Sequence, residues 1–190
     1  VTTPYHKLDC SLISDGGAAF IVTSAERAKA LGIAKPIYIL GGGECYTHEH
    51  IFLMPSLTTT GAVQSSAKAY AMAGCGPKDI DVAGVYDCFT GTVIMILEDL
   101  GFCAKGEGGD FVGDGRIEIG GSLPVNTHGG LLSQGHVEGM LHVVEAVRQL
   151  RGGEVEVERQ VPNARWALVS GHGGQMSTHG SLILTREDVT

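Results

Sequence analysis

Three glycine-rich stretches collect the reactive side chains of this 190-residue chain. In Tyr86-Asp87-Cys88-Phe89-Thr90 an apolar run gives way to a helical pattern. A cysteine at a helix start meets unpaired backbone N–H groups and the positive end of the helix dipole, which would favour its thiolate or a bound anion. The competing reading is a packing cysteine, because free Cys is among the most buried residue types. Asp87 beside it suits a helix N-cap.

The second stretch runs from Asn126 to Gly139 and places His128, Gly129, Gly130, Ser133, Gly135 and His136 just ahead of a long helix. Glycines there let the backbone come close to a ligand. A neutral imidazole at His136 could donate to a developing oxyanion or pass a proton. His128 also reads as a loop residue bonded to backbone. The third stretch, Ser170 to His179, carries His172 and His179. Their spacing is no metal signature, and His48-Glu49-His50 lacks a third ligand nearby, so no metal site is expected. Gly41-Gly42-Gly43 lacks the context of a dinucleotide fingerprint.

Elements that would position these loops follow from periodicity. Apolar runs predict strands at Ala18–Thr23, Pro36–Leu40, Val82–Tyr86, Trp166–Val169 and Ser181–Leu184. Helices are expected after the Ser24 N-cap up to Gly32, over Gly61–Gly74, over Thr90–Leu100 with the stripe Val93, Ile94, Leu97, Leu100, and over His142–Gly152. Cys103–Gly121 reads as an irregular excursion with at most a small hairpin, and Gly171–Gly180 as a wide hairpin loop. The alternation argues a layered α/β domain with a mixed sheet, one unit over residues 1–190.

Composition narrows the function class. Hydrophobic residues make up 43% and charged residues 18%, which suits a globular core, and 29 glycines are about twice the usual share of roughly 7%. A net charge of −8 with no basic run argues against nucleic acid or an anionic membrane surface. Five cysteines without a CxxC pair favour a reducing compartment, and no apolar stretch reaches a membrane span, so a cytoplasmic location is expected. Val1-Thr2-Thr3-Pro4 does not read as a signal peptide, nor Glu187-Asp188-Val189-Thr190 as a peroxisomal address. The missing initiator Met suggests part of a longer or processed polypeptide.

The runs LDCSLISDGGAAFIVTSAERAKALG (Leu8–Gly32), VYDCF (Val85–Phe89), PVNTHGGLLSQGHVEGM (Pro124–Met140) and EAVRQLRG (Glu145–Gly152) resemble, in order and spacing, the C-terminal half of a thiolase. The branch they are most similar to is the sterol-carrier-protein-type, or lipid-transfer-protein-like, thiolases. The resemblance covers roughly Leu8 to Arg186. It implies a layered α-β-α domain with a five-stranded mixed sheet, packed against a similar N-terminal half that bears the nucleophilic cysteine and is not in this chain. It implies coenzyme A thioesters as substrates, no resident cofactor, and Claisen chemistry on 3-ketoacyl-CoA. Cys88 falls on the branch's acid/base cysteine in its HDCF motif, and His136 on the oxyanion-hole histidine of its GHP motif. Asn126, His128, Gly129, Gly130, Gly135 and His172 fall on the loops around them.

Three positions depart from that pattern. Tyr86 stands where HDCF has its first His, and Val137 stands in place of the Pro after the motif histidine, with Glu138 adding a carboxylate beside it. The loop where many thiolases carry a second cysteine reads Ser170-Gly171-His172-Gly173. Tyr86 also resembles the thiolase-fold steroid side-chain aldolases, which carry a YDHF-like motif, a tyrosine in place of the GHP histidine, and a small OB-fold partner. Three functions therefore stand open. The first is a thiolase-type acyltransferase worked by Cys88 and His136. The second is a lyase cleaving a β-hydroxyacyl-CoA by retro-aldol chemistry with Tyr86 as acid/base. The third is a non-catalytic dimerisation or partner-docking module. The isolated half is expected to be inactive and to self-associate as a homodimer through an apolar helix its sister half would cover.

Overall fold

The computed structural model describes residues 3–187. The terminal residues on which the signal-peptide and peroxisomal readings partly rest, Val1–Thr2 and Asp188–Thr190, lie outside them. In chain order the elements are α1 (Ala25–Ala30), β1 (Tyr38–Tyr46), α2 (Ala62–Ala73), β2 (Val82–Val85), α3 (Thr90–Asp99), α4 (Gly108–Gly113), α5 (Gly130–Ser133), α6 (Met140–Arg151), β3 (Trp166–Gly173) and β4 (Thr178–Thr185). Local chemistry sets several ends. The Ser24 hydroxyl accepts the Arg27 N–H at the start of α1. Gly74 closes α2 in the left-handed conformation. After α3, Gly101 turns the chain at φ 83° and Phe102 N–H reaches back to Leu97 C=O.

The four strands lie in the order β1-β4-β3-β2. β1–β4 and β4–β3 pair antiparallel, and β3–β2 parallel, so the sheet is mixed. Side chains alternate to opposite faces along each strand. Ala83, Val85, Leu168 and Ile183 face a core with Ala69 of α2 and Ile96 and Leu97 of α3. Val82, Ala167, Val169 and Leu184 face a second core with Ala146 and Leu150 of α6. The result is the expected α-β-α layering, and β2, buried throughout, reads as apolar in every position because both its faces are covered.

Among the described residues the sheet has four regular strands and not five. Ala18–Thr23 forms no strand: it pairs with nothing here, and Ile21 is 94% exposed. The edge outside β2 is instead taken by Pro124–Asn126, which makes a single parallel bridge, Ala83 to Val125. Ala83 N–H donates to Pro124 C=O and Asn126 N–H to Ala83 C=O. Cys103–Gly121 contains the short helix α4 and no hairpin. The expected wide loop at Gly171–Gly180 shrinks, because β3 runs to Gly173 and β4 begins at Thr178. The apolar exposure expected on a helix lies mainly outside the α-helices, on short 3-10 turns and irregular segments: Leu8, Leu12, Ile13, Ile21 and Val22 near the N-terminus, and Phe52, Leu53 and Leu57 after β1. No helix among the described residues is long and apolar enough to cross a membrane.

β1 continues through Gly41-Gly42-Gly43, where the sequence reading ended it. Gly41 and Gly43 share a face, and α2 lies directly on them: a Cβ at Gly41 would run into the Ala69 carbonyl, and one at Gly43 into the Ser65 carbonyl. The small residues of α2 permit this approach, and Ser65 Oγ shares a 2.9 Å hydrogen bond with Ser181 Oγ of β4. The glycines are therefore packing residues, not a strand stop. Gly42 faces the other way, where a Cβ would meet only Leu182 Cδ2 at 3.7 Å. Gly43→Ala is expected to destabilise the protein by about 1–3 kcal/mol or more, in the range of overpacked cores, whereas Gly42→Ala should change it little. Urea unfolding of the two variants checks this, and equal midpoints would contradict the close helix–sheet contact.

Candidate active site

β2 delivers its last residues to the carboxyl end of the sheet, where Tyr86, Asp87 and Cys88 follow in sequence. Tyr86 N–H donates to Ser170 C=O of β3, which extends the parallel pairing by one step. Asp87 is buried. Its carboxylate accepts Leu131 N–H at 2.8 Å, Leu132 N–H at 3.3 Å and His142 Nε2–H at 3.2 Å. The first two are free amides of the first turn of α5, the third comes from α6. Burial pushes this carboxyl up, but the His142 and backbone donors outweigh it and hold it below the usual Asp range. Gly130, at φ 64°, is required here because a Cβ would strike the Asp87 carboxylate.

Asn126 fixes the other end of the same loop. Its side-chain amide pairs with both backbone groups of Val85, Oδ1 accepting the N–H and Nδ2 donating to the C=O, each at 2.8 Å. Its backbone sits at φ 51°, a conformation Asn tolerates better than most residues. Thr127 follows, donating to Glu145 Oε1 at 2.7 Å, and Glu145 is paired with Arg159 at 2.9 Å. The loop from Asn126 to Gly139 is thus tied to β2 and α6 before it reaches the chemistry.

That loop brings His136 and Glu138 onto the phenol of Tyr86. Tyr86 Oη donates to Glu138 Oε2 at 2.7 Å and lies 2.9 Å from His136 Nε2. The phenol has one proton, so when it donates to Glu138, His136 must donate its Nε2–H. Nδ1 then accepts from the Ser11 hydroxyl at 2.7 Å, and Ser14 Oγ accepts the His136 N–H at 3.1 Å. The N-terminal segment therefore helps set the imidazole: Ser11 N–H also donates to Cys88 C=O. A Cβ at Gly135 would meet Ser14 Oγ at 3.3 Å, so the glycine gives Ser14 room.

Cys88 and His172 form the second half of the site. Cys88 Sγ lies 3.7 Å from His172 Nε2, and the His172 ring centroid is 4.6 Å from that of Tyr86. Burial pushes the Cys88 thiol up, although Thr92 and local amides pull the other way. The thiolate expected from the helix start is not favoured, because desolvation outweighs the helix end. Burial, first of all, also pushes the Tyr86 phenol up, with the Glu138 hydrogen bond and charge adding to it. Tyr86, Glu138, Gly139, His172, Gly173 and Thr178 line a cleft of about 260 Å³.

Of the residues picked from the sequence, Tyr86, Cys88, His136 and His172 come together, and Asn126, Gly129, Gly130 and Gly135 shape their loop. His128 does not join them. It lines a separate small void beside His142 and Glu145, its ring edge-on to His142 at 5.0 Å, and neither of its ring nitrogens finds a hydrogen-bond partner. Glu138, Ser11, Ser14 and His142 were not among the site residues read from the sequence. Glu138 did carry a signal, as a carboxylate two residues from the motif histidine. The serines are more than 120 positions from His136 and gave none.

Burial pushes the imidazoles of His128 and His172 down to about 4, from 6.5. Between those values the unfolded chain binds protons that the native state refuses. The stability tied to each is complete above about 6.5 and is lost as pH falls towards about 4. Asp87 acts only below its ordinary range, outside this window. Urea unfolding at pH 7 and pH 5 should show a loss of about 1–2 kcal/mol per histidine at the lower pH, reduced in His128→Asn. Equal midpoints at the two pH values would contradict the buried neutral rings.

Residues 43–186 match the family described as thiolase C-terminal domain-like. The chain is 41% identical over 173 residues to a steroid side-chain-cleaving aldolase of Thermomonospora curvata, covering 86% of this chain and 43% of that protein. It is 40% identical to the 17-hydroxy-3-oxo-4-pregnene-20-carboxyl-CoA lyase of Mycobacterium tuberculosis, covering 82% and 41%. An acetyl-CoA acetyltransferase of Methanothermobacter thermautotrophicus is 37% identical, covering 98% and 49%. Among solved structures, the Ltp2-ChsH2(DUF35) aldolase superposes with a TM-score of 0.89 at 36% identity, over 100% of this chain and 49% of that one. The chain spans about half the length of the curated relatives it matches. By its sequence match and its α-β-α layering, the chain belongs to the thiolase C-terminal domain-like family.

Proposed function

We propose that this chain is the C-terminal half of a thiolase-fold aldolase, a lyase that cleaves a β-hydroxyacyl-CoA by retro-aldol chemistry. The observation that carries the reading is the Tyr86 phenol, held between His136 Nε2 and Glu138 Oε2 on the wall of a cleft. Tyr86 receives the proton of the substrate's β-hydroxyl, giving up its own along the hydrogen bond it already donates, as the bond between the α- and β-carbons breaks. The electron pair of that bond passes to the α-carbon and the thioester carbonyl as an enolate, and the β-carbon leaves as an aldehyde or ketone. The enolate then takes up one proton at its α-carbon. The Cys88 thiol, kept protonated by burial and 3.7 Å from His172 on the cleft wall, is the donor assigned to this step. No acyl-enzyme is needed, so the chemistry does not call for a second thiolate.

The 41% and 40% identical relatives support this reading, since their names give an aldolase and a CoA lyase. By the same likeness, the substrate class is a hydroxylated acyl-CoA such as a steroid side chain. The partners are the N-terminal thiolase-like half and a small protein of the kind paired with the neighbouring aldolase. Self-association through the exposed N-terminal apolar residues belongs to the same proposal.

A thiolase reading rests on one specific observation, the Cys88–His172 approach of 3.7 Å, and is the alternative. Two variants in the intact two-half protein separate the readings. On the aldolase reading, Tyr86→Phe lowers hydroxyacyl-CoA cleavage by about 10²–10⁴-fold, the span of a lost acid/base group, while Cys88→Ala lowers it less. The reverse order, with CoA-dependent cleavage of the 3-ketoacyl substrate abolished in a folded Cys88→Ala, would establish the thiolase.

A further inference from the structure

The Tyr86 phenol presents a chemical difficulty: it already carries its proton, and a neutral phenol is a poor base on its own. It can accept the substrate's proton only if its own proton leaves at the same time. The side chain in place to receive that proton is Glu138, whose Oε2 already accepts the Tyr86 hydrogen bond at 2.7 Å. We propose that Glu138 is the positioning residue behind Tyr86, the terminal proton acceptor of the cleavage step. This assignment rests on the aldolase reading above.

Four observations carry it. The Tyr86–Glu138 bond is short and has the phenol as its donor, which is the direction a relay requires. Glu138 lines the same cleft as Tyr86 yet is exposed, so a proton left on it can exchange with water. Among the described residues no lysine or arginine pairs with it, so its carboxylate is not already neutralised. Its backbone sits at φ 56°, a left-handed conformation uncommon for a residue other than glycine, and the loop anchored by Asp87 and Asn126 holds it there.

The step balances without an added reactant. The β-hydroxyl O–H proton moves to Tyr86 Oη as the Tyr86 proton moves to Glu138 Oε2, and the α–β carbon bond supplies the electrons of the enolate. The His136 Nε2–H bond stabilises the charge that the phenolic oxygen carries part-way through. One proton returns to the α-carbon of the enolate, equal in number to the one Glu138 later gives to water. The other groups facing the phenol are His172, His142 and its neighbours Asp87 and Cys88. None of the four is hydrogen-bonded to the phenol.

The test uses the intact two-half protein with Glu138→Gln, Glu138→Asp and Tyr86→Phe. Glu138→Gln keeps size and hydrogen-bonding capacity at an exposed site, and its melting temperature serves as the check of folding. With a β-hydroxyacyl-CoA, the expected result is a kcat lower by about a hundredfold or more in Glu138→Gln, with KM within a few-fold of wild type, an altered acid limb of the kcat profile, and partial recovery in Glu138→Asp. A separate readout needs no turnover: in protein labelled with ¹³C at the tyrosine Cζ, the Tyr86 signal, assigned by its loss in Tyr86→Phe, should titrate at lower pH in Glu138→Gln. An unchanged Tyr86 titration, or wild-type kcat and pH profile in Glu138→Gln while Tyr86→Phe is inactive, overturns the role of Glu138 and leaves the aldolase standing. Failure of the wild-type protein to cleave the hydroxy substrate at any pH overturns the aldolase reading, and the relay with it.

Discussion

A carboxylate taken out of water has to be met by donors, or its burial costs several kcal/mol. Asp87 is met by two amides of α5 and the imidazole of α6, and these contacts join three parts of the molecule at one point. The turn after β2 supplies the aspartate, the loop supplies the amides, and α6 supplies His142, brought close because Gly84 of β2 has no side chain: a Cβ there would meet His142 Cβ at 3.0 Å. Tyr86 precedes Asp87 and Cys88 follows it. The same carboxylate that closes the start of α5 therefore fixes where the phenol and the thiol stand relative to His136 and Glu138, a few residues along the loop.

The electrostatics of the site follow from that enclosure. The side chains around the cleft are mostly neutral groups with shifted affinities: burial keeps the Cys88 thiol and Tyr86 phenol protonated and the His172 ring deprotonated. Such a site is poor at generating a free thiolate and suited to passing a proton along hydrogen bonds already in place. The Ser11–His136–Tyr86–Glu138 chain is such a path, continuous from the N-terminal segment to an exposed carboxylate.

How much of this could be read from the residues depends on the range of the interactions. Caps and stops are local, and the N-cap of Ser24, the turn at Gly74 and the end of α3 at Gly101 lie where the sequence puts them. The layering also follows from periodicity. Ala18–Thr23 has a strand's composition, but a strand requires a partner, and composition does not say whether one is present. Gly41 and Gly43 looked like a stop because their contact with α2 is made by the backbone of residues more than 20 positions away. Pro124–Asn126 escaped notice as a sheet edge because a side-chain amide, Asn126, replaces part of the backbone ladder. In the site, Cys88, His136 and Tyr86 were visible as residue types at loop positions. Their tautomers, their protonation and the approach of Ser11 and Glu138 depend on how distant loops meet, which no local pattern encodes.

On the aldolase reading the phenol of Tyr86, and not a cysteine thiolate, does the proton transfer in carbon–carbon bond cleavage. Product analysis by NMR, with the intact two-half protein, a β-hydroxyacyl-CoA and no free CoA, tests it most directly. The expected products are an aldehyde or ketone and a shortened acyl-CoA in equal amounts. Intact hydroxy substrate, together with cleavage of the matching 3-ketoacyl-CoA only when free CoA is added, would contradict it.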